Sequence, residues 1–374
     1  MRVKLLWVGL FLGLALVSIV LTRTLQANPV ATETAHVKEL LSEMKTHCVG
    51  RYLFDLPVSF SLSTGTEPLE KDSWIAVINW PDRTYKTYIT SKRMYYPAFE
   101  QMLKRREQEL RETRTDNPLN MPFLKKTWPL SADMKGVVFE RNLDVNSNDS
   151  VRTLEAYLYS NGVAIKLQKE SINDLAPRYQ KDRERRGGET NYIPGDLEKL
   201  RELFSRIRGR GKDEIPNESG SCIANAFIER RLNDSEQEDI THLFSSENLP
   251  GFDVEVNTNN FQCDEEGILE RAEDIGEALS GVNARIIHKG SREINLLKAS
   301  EMLITGPKPN NDYPVYIFDL YANEKRGSNK SPWVNISLSN EGNVNIPPAD
   351  YNQEELLIFW NAITRTVRMR PVAE

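Results

Sequence analysis

Histidine and cysteine are scarce in this chain, with four and three among 374 residues. Their placement excludes more than their number does. His36, His47, His242 and His288 show neither the i, i+4 pairing nor the Cys-x-x-Cys company of a zinc site. His47 and Cys48 are neighbours, and neighbours on an extended strand point to opposite faces, so they make a poor catalytic dyad. No Gly-x-Ser-x-Gly elbow offers a serine nucleophile. Gly209-Arg210-Gly211-Lys212 lacks the first glycine of a phosphate loop, and Asp213 stands where Ser or Thr would hold magnesium. The acidic runs Asp234 to Asp239 and Asp264 to Glu266 fit no standard calcium loop. No catalytic set, metal or cofactor is expected, which leaves a binding scaffold as the first reading. Two rivals stand beside it: an envelope enzyme whose active site assembles only in the fold, and an anchored assembly protein of the cell envelope.

Three cysteines cannot build a disulfide framework, although an exported chain can still hold one bridge. Cys222 opens a strand-like stretch, and Cys263 follows the next one, Phe252 to Thr258. Antiparallel pairing of those stretches predicts a Cys222–Cys263 bridge, with Cys48 as a small buried apolar residue.

What is present argues for a folded, exported body. Hydrophobic residues make up 39% and charged residues 27%, in a length that suits two domains with separate cores. Arg2 and Lys4 precede an apolar run over residues 5–21, which reads as a signal peptide or an uncleaved anchor within residues 1–27. Either version exports the rest, and membrane contact is confined to residues 5–21 if the leader stays. Charge divides unevenly. Residues 48–212 hold 29 basic against 23 acidic groups, and residues 213–374 hold 14 against 28, balances of +6 and −14. Such a split steers an approaching partner, or simply marks two differently solvated surfaces. A nucleic-acid partner is disfavoured by the modest basic half and by export.

The chain reads as a diverged duplication. Cys48-Val49-Gly50-Arg51-Tyr52-Leu53-Phe54 is echoed by Cys222-Ile223-Ala224-Asn225-Ala226-Phe227-Ile228, each a cysteine leading into an aromatic-bearing strand. Each copy closes on an amphipathic helix, Asp196 to Arg208 with Asp196 as its N-cap, and Asp350 to Met369 with Asp350 and Gln353 as a capping box. A leading helix is expected over Ala35 to Lys45, and further helices after Pro97 and over Glu266 to Leu279. Strands are expected at Val49 to Phe54, Trp74 to Trp80, Tyr85 to Thr90, Val137 to Arg141, Ile223 to Glu229, Phe252 to Thr258, Arg285 to His288, Val315 to Tyr321 and Trp333 to Leu338. Alternating Leu154 to Tyr159, then Asn161-Gly162, then Val163 to Leu167 is a strong hairpin signal. Gly209 to Ser221 reads as an interdomain linker, giving domains at residues 33–212 and 216–374. The class is α+β: two similar antiparallel-sheet domains with helices packed on one face.

The stretch Lys45-Thr46-His47-Cys48-Val49-Gly50-Arg51-Tyr52-Leu53-Phe54-Asp55-Leu56-Pro57 resembles the start of the amino-terminal domain in a bacterial immunity family. Gly220-Ser221-Cys222, running to Phe227-Ile228, resembles the opening of that family's carboxy-terminal domain. Its members neutralise phospholipase effectors of the type VI secretion system, the fourth class of lipase effector. The resemblance covers nearly the whole exported body. It implies a periplasmic, non-catalytic protein whose domains form a two-lobed claw on a cognate lipase and block the opening of its cap. Cys48, Gly50, Arg51 and Tyr52 carry over as structural positions, and no contact residue carries over. Contacts are instead expected on three charged stretches: the loop Arg178 to Gly195 with Arg183, Arg185 and Arg186; the run with Asp234, Glu236, Glu238 and Asp239; and Asn323 to Pro332 with Lys325 and Arg326. Each of these also reads as a plain solvated loop.

Overall fold

The computed structural model describes residues 35–64, 69, 74–82, 84–230, 235–246, 249, 251–307, 314–340 and 351–371. The apolar leader, Asp234 and Asp350 lie outside them. The first half opens with α1 (Ala35–Leu40), β1 (Met44–Val49), β2 (Tyr52–Pro57) and β3 (Phe60–Leu62). It continues through β4 (Ala76–Asn79), β5 (Thr87–Arg93), α2 (Tyr96–Glu112), β6 (Leu124–Pro129) and β7 (Lys135–Asn142). The strands β8 (Val151–Ser160) and β9 (Val163–Ile172) follow, then α3 (Gln180–Arg186), α4 (Ile193–Phe204) and β10 (Ile207–Gly209). The second half runs β11 (Gly220–Ile223), β12 (Ala226–Glu229), β13 (Gln237–Ser246), β14 (Asp253–Asn259) and α5 (Ala272–Ser280). Its remainder is β15 (Arg285–Ile294), β16 (Leu297–Pro307), β17 (Pro314–Ala322), β18 (Trp333–Ser339), α6 (Gln353–Thr364) and β19 (Arg368–Met369).

Set aside α1, β3 and α3, and both halves follow one script: a hairpin, two strands, a helix, four strands, a helix and a short strand. The sheet paths agree too. They are β4-β5-β9-β8-β7-β6 in the first half and β13-β14-β18-β17-β16-β15 in the second. Corresponding strands β4 and β13 then pair antiparallel, Ala76 opposite Ile240 and Asn79 opposite Gln237. The halves therefore merge into one 13-stranded sheet, with an approximate twofold relation through that junction. The ends are exchanged as well: β10 lies on β12, and β19 lies on β2. Each half's last strand completes the other half's hairpin.

The two echoed cysteine segments meet across this relation. Cys48 on β1 is bonded to Cys222 on β11, with Cα atoms 5.8 Å apart. Gly50 and Cys222 exchange backbone hydrogen bonds of 2.8 Å beside the bridge. The expected Cys222–Cys263 bridge is thus corrected, and so is the unpaired role given to Cys48. Strand pairing explains it: β11 lies on β12, whereas β14 lies between β13 and β18, so the strands beside Cys222 and Cys263 are not neighbours. Cys263 is exposed, its sulfur 3.1 Å from the Lys325 carbonyl.

Other differences have local causes. Val49 to Phe54 and Ile223 to Glu229 are hairpins rather than single strands, because Gly50 (φ 53°) and Asn225 (φ 59°) take left-handed conformations that reverse the chain. A Cβ on Gly50 would also stand 2.5 Å from the Thr258 methyl. The Asn161-Gly162 turn forms as expected, with φ of 47° and 77° between Ser160 and Val163. The leading helix stops at Leu40, and Met44 starts β1. The capping box belongs to Asn352 and Glu355 rather than to Asp350 and Gln353. Asp196 sits inside α4 instead of capping it, and accepts a 2.7 Å bond from the Ser171 hydroxyl. The supposed linker ends in strands at both sides, since Gly209 closes β10 and Gly220 and Ser221 open β11.

The expected α+β class of antiparallel sheets in two domains is what forms, with helices on both faces rather than one. Cross-strand partners in an antiparallel ladder share a face. On one face α4 and α6 bury Leu197, Leu200, Leu203, Phe204, Leu356, Phe359, Trp360 and Ile363 in the main core. Each such side chain contributes about 1.5–3 kcal/mol by leaving water. The opposite face carries α2 over Phe139, Tyr157 and Ala164 at one side, and α5 over Met302, Ile304 and Tyr321 at the other.

Candidate partner-binding surface

Between α2 and α5 the described residues place no helix on the sheet face. Register places its floor residue by residue. Tyr88 pairs with Val77, Val77 with Asp239, and Thr241 with Asn257. Asn257 then pairs with Asn335, Glu255 with Ser337, Asp253 with Ser339, and Ser337 with Asp319. Five strands, β5, β4, β13, β14 and β18, span this floor. At roughly 4.8 Å per strand the gap is on the order of 20 Å. A helix of about 10–12 Å diameter, or a thick loop, fits such a trough.

The two ends of the trough differ in chemistry. On the first-half side Trp74 packs on Tyr88 at 5.1 Å, and the Lys166 ammonium lies 5.4 Å from the Trp74 ring. On the second-half side Asp239, Asp253, Glu255 and Asp319 are half-buried. None of these four carboxylates has an ion-pair partner within 4 Å among the described residues. Burial pushes the Asp319 carboxyl up, with Glu255 adding to the rise and Ser337 and Asn335 offsetting part of it. Asp253 is raised by burial and by Glu255. Asp239 is raised by burial against a partial pull from Lys86. Desolvated carboxylates short of counter-charge oppose folding at neutral pH and favour a cation that arrives from outside.

Of the expected contact residues that the structure describes, Asp239 alone lies on this floor, and Asp234 is outside the described residues. Glu236 is spent internally, holding Arg206 and accepting from the Trp80 indole at 3.0 Å. Glu238 is buried, taking the Ser221 hydroxyl at 2.8 Å on both oxygens. The loop Arg178 to Gly195 contains α3 and the start of α4. Arg183 and Arg186 tie α3 back to the Asp174 carbonyl and carboxylate, while Arg185 pairs with Asp182 in solvent. Lys325 pairs with Glu270, and Arg326 is exposed. The loops carrying α3, leading into β13 and joining β17 to β18 share one end of the sheet; Asn260 bridges the latter two, donating to the Glu236 carbonyl at 2.8 Å and to Asn329 at 2.6 Å, while α3 follows β9, three strands away from β13. Sequence reasoning missed Asp253, Glu255 and Asp319. For Asp253 and Glu255 the signal was the period-2 alternation Asp253-Val254-Glu255-Val256-Asn257, one face acidic and the other apolar.

Two family models match in tandem. The N-terminal domain of Tle cognate immunity protein 4 matches residues 45–210, and its C-terminal domain matches residues 214–372. The chain belongs to the Tle cognate immunity protein 4 family. Similar solved structures agree with that membership. In the crystal structure of the Tle4-Tli4 complex the matched chain is 20% identical at TM-score 0.66, covering 89% of this chain and 99% of that one. The apo structure of immunity protein TplEi of T6SS from Pseudomonas aeruginosa is 20% identical at TM-score 0.63, covering 88% and 98%. The same protein complexed with an "L" peptide gives 20% and 0.60, covering 88% and 99%. No curated protein matches in the corresponding search. For this Tle cognate immunity protein 4 member, what has to be explained is recognition of a partner.

Proposed function

We propose that this chain is a periplasmic immunity protein that binds and inhibits a type VI phospholipase effector, and that the trough between α2 and α5 receives a basic element of that enzyme. The tandem match of both family domains over nearly all of the described body supports the immunity role. One observation carries the choice of surface: among the described residues, half-buried Asp239, Asp253, Glu255 and Asp319 stand short of cations on a face that no helix covers. Filling the trough buries surface from both domains at once, and so holds the partner as a claw would. That is how cap opening and lipid access are blocked in this reading. The Arg2–Lys4 and residue 5–21 leader supports export, with the body on the far side of the inner membrane.

Co-export with a candidate phospholipase effector tests the reading directly. Growth should be rescued by the wild-type chain and much less by an Asp239→Asn, Asp253→Asn, Asp319→Asn variant. Continued lysis with the wild type across candidate effectors, or phospholipid turnover by the pure chain, would defeat it.

A further inference from the structure

A second site lies on the opposite side of the junction, beside the disulfide. His47 from β1, Arg210 from the segment between the halves and His242 from β13 line a cavity of about 50 Å³. Nε2 of His47, Nε2 of His242 and Nε of Arg210 are all buried without a hydrogen-bond partner among the described residues. His242 is 1% exposed and Arg210 8%. Among the described residues the Arg210 guanidinium reaches the carbonyls of Glu214 at 2.7 Å and Ile223 at 3.4 Å and pairs with no carboxylate. The acids that share the lining are already engaged. Asp213 is held by Lys45, and Glu214 by Arg208 and the Gly211 N–H. A buried cation with carbonyl partners alone is costly, and nearby imidazoles that become donors on protonation make the same cavity favourable for an anion.

We propose that this cavity is a binding site for a small inorganic oxyanion of the phosphate or sulfate class, clasped between the two halves of the chain. Its ligands come from both domains and the segment joining them, so occupancy stabilises the junction that shapes the trough. The volume of about 50 Å³ suits a free ion better than a glycerol-bearing headgroup. Binding should tighten as acid protonates His47 and His242, which face Lys45, Asp55, Arg210, Lys212, Asp213 and Glu214.

The test is titration of the intact chain with inorganic phosphate at constant ionic strength, following the imidazole nitrogen resonances of all four histidines. The expected result is a saturable shift of His47 and His242 with His36 and His288 unmoved, and no shift with sn-glycerol 3-phosphate. His242→Gln should weaken binding roughly tenfold or more, the scale of a lost charge-assisted hydrogen bond. Resonances of His47 and His242 that stay still up to roughly 100 mM phosphate, or four histidines that move in parallel, overturn the proposal, as does a shift with glycerol phosphate alone. Should His242→Gln fail to fold, the selectivity among wild-type resonances decides the matter.

Discussion

Glu155 on β8 and Asp319 on β17 occupy corresponding strands of the two halves and face the same side of the sheet. Their surroundings are opposite. Glu155 is fully buried and gripped by Arg106 at 2.7 and 3.0 Å, by Arg141 at 2.7 Å and by the Tyr157 hydroxyl at 2.6 Å. Burial alone would push its carboxyl up, but those hydrogen bonds and charges hold it well below the ordinary carboxylate range. Among the described residues Asp319 has only Asn335, at 3.5 Å, and Ser337, and its carboxyl is pushed up by burial. One duplicated scaffold thus puts a carboxylate to two uses. In the first half it locks α2 onto the sheet; in the second it is left wanting a cation. The +6 and −14 balances are the whole-chain form of the same divergence.

The comparison can be broken in several places. The largest effect should come from the bond that joins the halves. Cys48→Ser should cost about 2–5 kcal/mol, since the bridge closes a loop spanning 174 residues of sequence. Chemical denaturation of both proteins checks this, and an unchanged midpoint would mean that strand exchange alone holds the junction. Glu155→Gln should cost about 3 kcal/mol by leaving two arginines without their shared carboxylate. Asp319→Asn should instead raise the thermal midpoint slightly. If both substitutions move the midpoint in the same direction, the contrast between the halves fails.

Acidity comes next in size. His47 is lowered to about 4 by burial first and then by Lys45 and Arg210, and His242 to about 3 by burial, Arg210 and His47. Unfolded, each returns to 6.5. The unfolded chain therefore binds more protons below that value, so this contribution is complete above about pH 6.5 and is lost as pH falls toward 4. The trough aspartates, with raised values in the fold, act with the opposite sign. The acid-side fall in thermal midpoint should accordingly be steeper in the triple Asn variant. The smallest effect belongs to Arg185→Ala, because this exposed arginine only pairs with Asp182 along its own helix. It should change stability by less than about 0.5 kcal/mol.

Local signals in the sequence were strong where one residue type decides the geometry. Asn161-Gly162 fixed a hairpin, and the spacing of Leu197, Leu200, Leu203 and Phe204 fixed a helix face. The cysteine echo revealed the duplication, yet not that the copies bond to each other, because strand exchange is a property of tertiary pairing. The central strand β13 went unseen. Its acidic start, Gln237-Glu238-Asp239, looks like solvent-facing loop until β4 arrives beside it. The trough was hidden for a related reason: it takes shape only when two sheets, unremarkable apart, merge edge to edge.

Association kinetics with the phospholipase whose toxicity this chain relieves give the most direct test of the trough. Association should slow steeply with salt for the wild type, and the Asp239→Asn, Asp253→Asn, Asp319→Asn variant should bind at least about a hundredfold more weakly with a much flatter salt dependence. Equal affinity and equal salt slopes in a variant that remains folded would contradict the account.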